Sequence, residues 1–252
     1  MTLTGKVALV TGAGSGIGKA IAEVFSREGI HVLANDVGDA SSVAKQIGGT
    51  FLKADLSDQE QVRQLARHAL DANGHVDILV NNAGFQNVAP VEEFAEDIWT
   101  KMIQVMLIAP FQLTKYLVPG MKQSGWGRII NMSSIHGVVA SPYKSAYIAA
   151  KHGLLGLTKT LALELGAFGI TVNAICPAYV RTPIADNQVK AQAETHGISE
   201  AEVIDKLMLE PAAIKRLIEP SEVAELALFL ASDRTGAITG AAQMIDLGWT
   251  AR

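Results

Sequence analysis

The chain has 252 residues, of which 49% are hydrophobic and 18% charged, with a formal net charge of −4. That length suits one large α/β domain whose core needs no covalent staples, and the charge leaves no broad basic field for nucleic acid or an anionic membrane. Cys176 is the only cysteine, which excludes an intrachain disulfide. The opening Met1-Thr-Leu-Thr-Gly-Lys-Val lacks an apolar signal core, and no apolar run approaches the ~20 residues of a membrane span. A cytoplasmic protein is therefore expected. No His/Cys cluster has zinc spacing, so no metal is expected.

Short β-branched runs alternate with helical stretches from end to end. Val7–Thr11 is predicted as a strand, followed by a helix over about 17–28. His31–Asp36 and 50–55 are the second and third strands. Ser57-Asp-Gln-Glu60 matches a capping box and is expected to open a helix to about Ala72. The fourth strand is 76–82. A long helix over 95–122 is expected to bend or break at Pro110 and Pro119. A fifth strand at 128–133, a helix carrying Tyr147, a sixth strand at 170–176 and a seventh at 243–246 complete the pattern. Near-continuous apolar strands separated by helices signal a parallel sheet covered on both faces. The expected fold is α/β: a seven-stranded parallel sheet, doubly wound in three layers, as one domain over 1–252.

One segment breaks the rhythm. Between Thr182 and Pro220 there is no strand pattern, only two polar-faced helical stretches, the second opened by a capping box at Ser199-Glu-Ala-Glu202. An insertion after a strand's C-terminal end lies where such sheets bind ligands. Residues 183–219 are expected to form a mobile helical lid, with a packing or oligomer-contact excursion as the alternative.

Chemistry enters with Thr11-Gly12-Ala-Gly-Ser-Gly16-Ile-Gly18, set between the first strand and first helix. Gly12 suits a tight turn, Gly16 lets backbone approach a pyrophosphate at the helix N-terminus, and Gly18 permits close helix–strand packing. The strand–turn–helix context makes this a dinucleotide-binding (Rossmann) turn. Asp36 ends the second strand, where a carboxylate accepts the adenosine ribose hydroxyls and repels a 2′-phosphate, which favours NAD over NADP. Asp55 ends the third strand, within reach of an adenine. Asn81-Asn82-Ala83-Gly84 ends the fourth, where small residues let backbone lie against the cofactor.

Tyr147 and Lys151 stand at i and i+4 and share a helical face. A free phenol with a pKa of about 10 is a poor base, and lowering it by roughly two to three units takes about 3–4 kcal/mol. Lys151, helped by a cationic cofactor, is expected to supply that. The plainer possibility is a surface Tyr-Lys pair. Ser134 lies upstream, after the fifth strand.

With Thr-Gly-x-x-x-Gly-x-Gly at 11–18, Asn-Asn-Ala-Gly at 81–84, Ser134 and Tyr-x-x-x-Lys at 147–151, the chain resembles the short-chain dehydrogenase/reductase family over its whole length. Within it, His136-Gly-Val-Val-Ala, Lys144-Ser-Ala-Tyr-Ile-Ala-Ala-Lys-His-Gly, Asn173-Ala-Ile-Cys-Pro and the terminal Gly248-Trp-Thr-Ala-Arg252 look most like the bacterial D-3-hydroxybutyrate dehydrogenases. The resemblance implies that Tyr147 exchanges the proton of the substrate hydroxyl. Lys151 lowers its pKa and bonds the nicotinamide ribose, and Ser134 polarises the reacting oxygen. It implies NAD held by Gly12, Ser15, Gly16, Ile17, Gly18, Asp36, Asp55, Leu56, Asn82, Ala83, Gly84, Tyr147, Lys151, Pro177, Val180 and Thr182. A homotetramer is also implied.

Two departures stand out. Met106 occupies a position where many family members carry an Asn thought to shape a proton path. Pro177-Ala178 replaces the usual Pro-Gly, which Ala tolerates only with negative φ. For substrate, the resemblance implies a short 3-hydroxy acid, held at its carboxylate by Gln86, His136, Lys144 and Gln188 beside Ser134 and Tyr147. Tyr179 stands as an apolar wall where relatives often have Trp. One cation plus amide donors suit the four or so acceptor sites of a carboxylate. The alternatives are another hydroxy acid, an alcohol, a sugar or an acyl-thioester, and, from a different class, a scaffold that binds NAD without turnover.

Overall fold

The computed structural model describes residues 3–183, 185–186, 189–190, 193 and 197–251. Gln188 lies outside them. Seven parallel strands form one sheet in the order β3-β2-β1-β4-β5-β6-β7. They are β1 (Val7–Thr11), β2 (His31–Asp36), β3 (Thr50–Lys53), β4 (Ile78–Asn81), β5 (Gly127–Met132), β6 (Ile170–Pro177) and β7 (Ala242–Ile245). Successive side chains along a strand enter opposite cores. In β1, Val7 and Leu9 join the layer with α3 (Gln59–Asn73), α4 (Glu96–Ile103), α5 (Ala109–Ser124) and α6 (Ser145–Leu165). Ala8 and Val10 join the layer with α1 (Gly16–Arg27), α2 (Ser41–Gln46) and α7 (Pro220–Ala231). Burial on both faces explains why the strands read as apolar runs rather than alternating ones. The expected three-layer doubly wound sheet is the one observed.

Several boundaries move for local reasons. The start of α3 is capped by Asp58, not Ser57: Asp58 Oδ1 accepts from the N–H groups of Glu60 (2.8 Å) and Gln61 (3.3 Å). Ser57 instead gives its N–H (2.8 Å) and its hydroxyl (2.7 Å) to Asp55 Oδ1, and that turn ends β3 before Asp55. In the long helix the break precedes Pro110. A π-helical turn, Gln104–Ile108, separates α4 from α5. Pro110 has no N–H to continue the i→i−4 ladder, and α5 restarts with that proline in its first turn. Pro119 sits inside α5 without ending it.

The segment after β6 leaves and returns at one place. Val180 and Ile218 form an isolated parallel bridge, Arg181 N–H donates to Ile218 O (2.9 Å), and Ile218 N–H donates to Tyr179 O (3.0 Å). Within the excursion Val189, Val203, Met208, Leu209 and Leu217 make a small core of their own, with Tyr179 packed against it. The capping box at Ser199 is present: Ser199 N–H donates to Glu202 Oε2 (3.1 Å) and Glu202 N–H to Ser199 Oγ (3.2 Å). Among the described residues no helix is long and apolar enough to cross a membrane.

Candidate active site

A cleft of about 570 Å³ runs across the C-terminal ends of the strands. At one end it is lined by Gly12, Ser15, Gly16, Ile17, Asp36, Asp55 and Leu56. Asn82, Ala83, Gly84, Pro177, Val180 and Thr182 form the middle. Gln86, Ser134, His136, Lys144, Tyr147, Lys151 and Tyr179 close the other end. Gly18 is not on the wall. A Cβ there would stand 2.1 Å from Gly12 O and 2.5 Å from Asn82 Nδ2, so its task is packing.

The glycine turn is shaped by backbone. Gly12 has φ +66, and a Cβ on it would meet Ala83 Cα and Asn82 Nδ2 at 3.0 Å. Gly14, which the motif left without a role, donates its N–H to Asp36 Oδ2 (2.9 Å), and a Cβ would collide with that same oxygen. Asp36 Oδ1 accepts from Gly38 N–H (2.9 Å). The carboxylate is thus oriented by two backbone donors, with further lone pairs left for a ligand. At the start of α1 the Ser15 side chain makes no capping bond and no acid occupies the first turn. Those N–H groups suit a pyrophosphate. Backbone with no room for side chains, an open helix start and an oriented carboxylate fit a dinucleotide.

At the other end, Ser134 caps a short 3₁₀ turn, Ile135–Gly137, by accepting from His136 N–H (3.1 Å). Tyr147 lies in the first turn of α6 and lines the same cleft as Ser134, whose hydroxyl favours the phenolate. Burial pushes the Tyr147 phenol up in the protein by itself, and the Ser134 hydroxyl opposes this. Lys151 Nζ instead donates to Met132 O (2.7 Å) and lies 5.4 Å from the Tyr147 ring centroid. Its own pKa falls to about 8 because it is buried. Spacing placed the two side chains together, and dehydration of the site works against the lowering expected from charge.

Lys144 is buried, and burial lowers its pKa. Its Nζ lies 5.9 Å from the Tyr179 ring centroid. Among the described residues no carboxylate pairs with it. Gln86 Nε2 is likewise buried without a hydrogen-bond partner among them. His136 Nε2 lies 2.7 Å from Ser141 Oγ, and its ring stands edge-on to Tyr147 at 6.2 Å. Trp249 flanks the same imidazole at 6.4 Å and donates Nε1–H to Met208 O (3.2 Å). In the sequence Trp249 stands only within the terminal Gly248-Trp-Thr-Ala-Arg252 stretch, with no role attached to it; the fold brings it against His136. Met106 is buried in the π turn with its sulfur against Gly84, where a Cβ would meet it at 3.1 Å. Ala178 is not among the residues with positive φ, so it meets the condition set for it.

Burial, then the nearby Lys144 charge, lowers His136 from 6.5 to about 4. The unfolded chain takes up this proton near 6.5 and the folded one only near 4. Stability should therefore fall as pH drops through that window and level off below it. The full effect is on the order of 3 kcal/mol. In urea titrations from pH 7 to 4, His136→Gln is expected to flatten this limb. An equally steep limb in the variant would assign the loss to other groups.

The family described as enoyl-(acyl carrier protein) reductase matches residues 12–250. D-beta-hydroxybutyrate dehydrogenase of Rhizobium meliloti is 44% identical over 256 residues, covering 98% of this chain and 99% of that one. The enzyme of the same name from Cupriavidus necator is 42% identical over 257 residues, covering 99% and 100%. A solved structure of an actinorhodin polyketide ketoreductase with NADPH superposes with a TM-score of 0.92 at 34% identity, covering 97% of each chain. The cleft, its glycine turn and the Ser134, Tyr147 and Lys151 arrangement thus belong to an oxidoreductase, and the chain is a member of the short-chain dehydrogenase/reductase family.

Proposed function

We propose that the protein is an NAD-dependent dehydrogenase that interconverts (R)-3-hydroxybutyrate and acetoacetate. The observation that carries this is Lys144: a buried ammonium in the same chamber as Ser134 and Tyr147, with no acidic partner among the described residues. An uncompensated buried charge is costly, and a ligand carboxylate relieves it. Gln86 Nε2, also buried and unpartnered, adds a donor, and neutral His136 adds bulk without competing charge. Gln188 would be a further donor. Tyr179 bounds the chamber, which suits a short acid. A 3-oxoacyl-[acyl-carrier-protein] reductase of Thermotoga maritima is 36% identical, but a thioester offers Lys144 no free carboxylate.

When bound, the nicotinamide supplies the hydride acceptor or donor. On the protein side, Tyr147 takes the proton of the substrate hydroxyl in oxidation and returns it to the carbonyl oxygen in reduction. Ser134 hydrogen-bonds the same oxygen. Lys151, with a pKa of about 8, is largely charged at neutral pH and stabilises the phenolate as it forms. Asp36 favours NAD, since its carboxylate is oriented at the adenosine end and the cations lining the cleft are Lys101, Lys144 and Lys151, none next to it in sequence. Exposed Phe111 on α5, Leu163 on α6 and Met244 on the edge strand β7 supply apolar surface for a homotetramer.

Lys144→Ala is expected to raise KM for 3-hydroxybutyrate about ten- to a hundredfold, the worth of a charged hydrogen bond of roughly 1.5–3 kcal/mol. An unchanged KM would remove the carboxylate assignment. Tyr147→Phe should abolish turnover while NAD still binds; retained turnover would sink the proton-transfer role. Initial rates should favour NAD over NADP, and Asp36→Ala should narrow the gap. Equal use of both cofactors by the unaltered protein would refute the role given to Asp36. Light scattering should give a tetramer mass, and a monomer mass would rule that assembly out.

A further inference from the structure

Three consecutive residues at the end of β5 each bond to α6. Asn131 Nδ2 donates to Thr158 Oγ1 (2.9 Å). Met132 O accepts from Lys151 Nζ (2.7 Å). Ser133 Oγ donates to Lys151 O (3.2 Å). The next residue, Ser134, lines the cleft together with Tyr147. Thr158 lies two turns beyond Lys151 on the same helical face.

The outermost rung has a fixed direction. Thr158 spends its one hydroxyl proton on Leu154 O (2.7 Å), so toward Asn131 it can only accept. The Asn131 carboxamide oxygen in turn accepts from Asn81 Nδ2 (2.8 Å). A directional chain therefore runs from Asn81, at the end of β4, through β5 into the body of α6. Asn81, Asn131 and Thr158 are all buried, so water is not at hand to replace a missing partner.

Apolar packing alone does not set such a register. Leu161, Ala162 and Leu165 hold α6 against the sheet, but burial is non-directional and tolerates axial sliding. Hydrogen bonds at named atoms do not. We propose that Asn131, Ser133 and Thr158 are positioning residues: their bonds set the axial register of α6 on β5 and thereby place Tyr147 and Lys151 against Ser134. The proposal rests on Tyr147 being the acid/base.

Thr158→Val keeps the shape and removes the acceptor. It is expected to lower kcat by about tenfold or more, as a displacement on the order of 1 Å at the reacting groups does, while KM for NAD stays unchanged. The acid limb of the pH profile for 3-hydroxybutyrate oxidation should move to higher pH, because a Ser134 hydroxyl displaced from Tyr147 no longer favours the phenolate. Thr158→Ser, which restores the acceptor, should recover kcat and the profile. A structural role alone would lower the melting temperature without moving the pH profile. An unchanged kcat and profile in Thr158→Val, or a Ser variant no better than Val, would overturn the proposal. Should Thr158→Val not fold, Ser133→Ala removes another rung and is read the same way, an unmoved profile again counting against it. Tyr147→Phe measured alongside separates the two ideas: turnover there refutes the acid/base role itself, whatever the rungs do.

Discussion

The Thr11 hydroxyl joins the two halves of the sheet. It donates to Val80 O (3.3 Å) and accepts from the N–H groups of Asn82 (2.9 Å) and Ala83 (3.0 Å). Asn82 Nδ2 answers by donating to Thr11 O (2.9 Å) and Gly12 O (3.3 Å). This junction lies between β1 and β4, where the strand order reverses direction and the two winding halves part. A crevice must open there, and ligands of such sheets bind in it. The bonds around Thr11 set its floor, and the glycine turn and the Asn82-Ala83-Gly84 backbone take their places from that floor.

Charge in the cleft is distributed by end. The adenosine end carries an oriented carboxylate, the far end two buried ammonium groups and an imidazole kept neutral by burial. Desolvation is the first cause of every shift at the far end. The site is thus prepared by removing water rather than by pairing opposite charges, which leaves its cations available to a ligand. Burial likewise holds the Tyr147 phenol above its usual range in the protein by itself.

Much of this was legible from the residues. β1 and β6 read as strands because both their faces are buried, and most of the motif residues gather in one cleft because strand-end and helix-start positions converge in a parallel sheet. Features that depend on contacts between distant segments were not legible. Ser57 and Asp58 are equally good caps by type, and only the bond from Ser57 to Asp55 decides between them. The π turn before Pro110 has no residue code, although the proline announced a disturbance. Trp249 and the Asn131–Thr158 bond join parts of the chain whose proximity no local pattern records. The upward push of burial on Tyr147 was not legible for a related reason: i,i+4 spacing reports neighbours on a helix, not how much water the tertiary structure removes.

The helix that presents Tyr147 begins in an unusual way. Its N-cap is Lys144, which makes no capping bond, and the first turn carries no acid. A helix start bears partial positive charge and favours anions, so a lysine there adds like charge to like. The residue before it, Tyr143, takes a left-handed φ of +66, a conformation a non-glycine residue holds only when its surroundings insist. A carboxylate bound at Lys144 would neutralise both the ammonium and the helix end. The substrate would then serve as the cap that the polypeptide omits, and part of its affinity would be helix stability deferred until it binds.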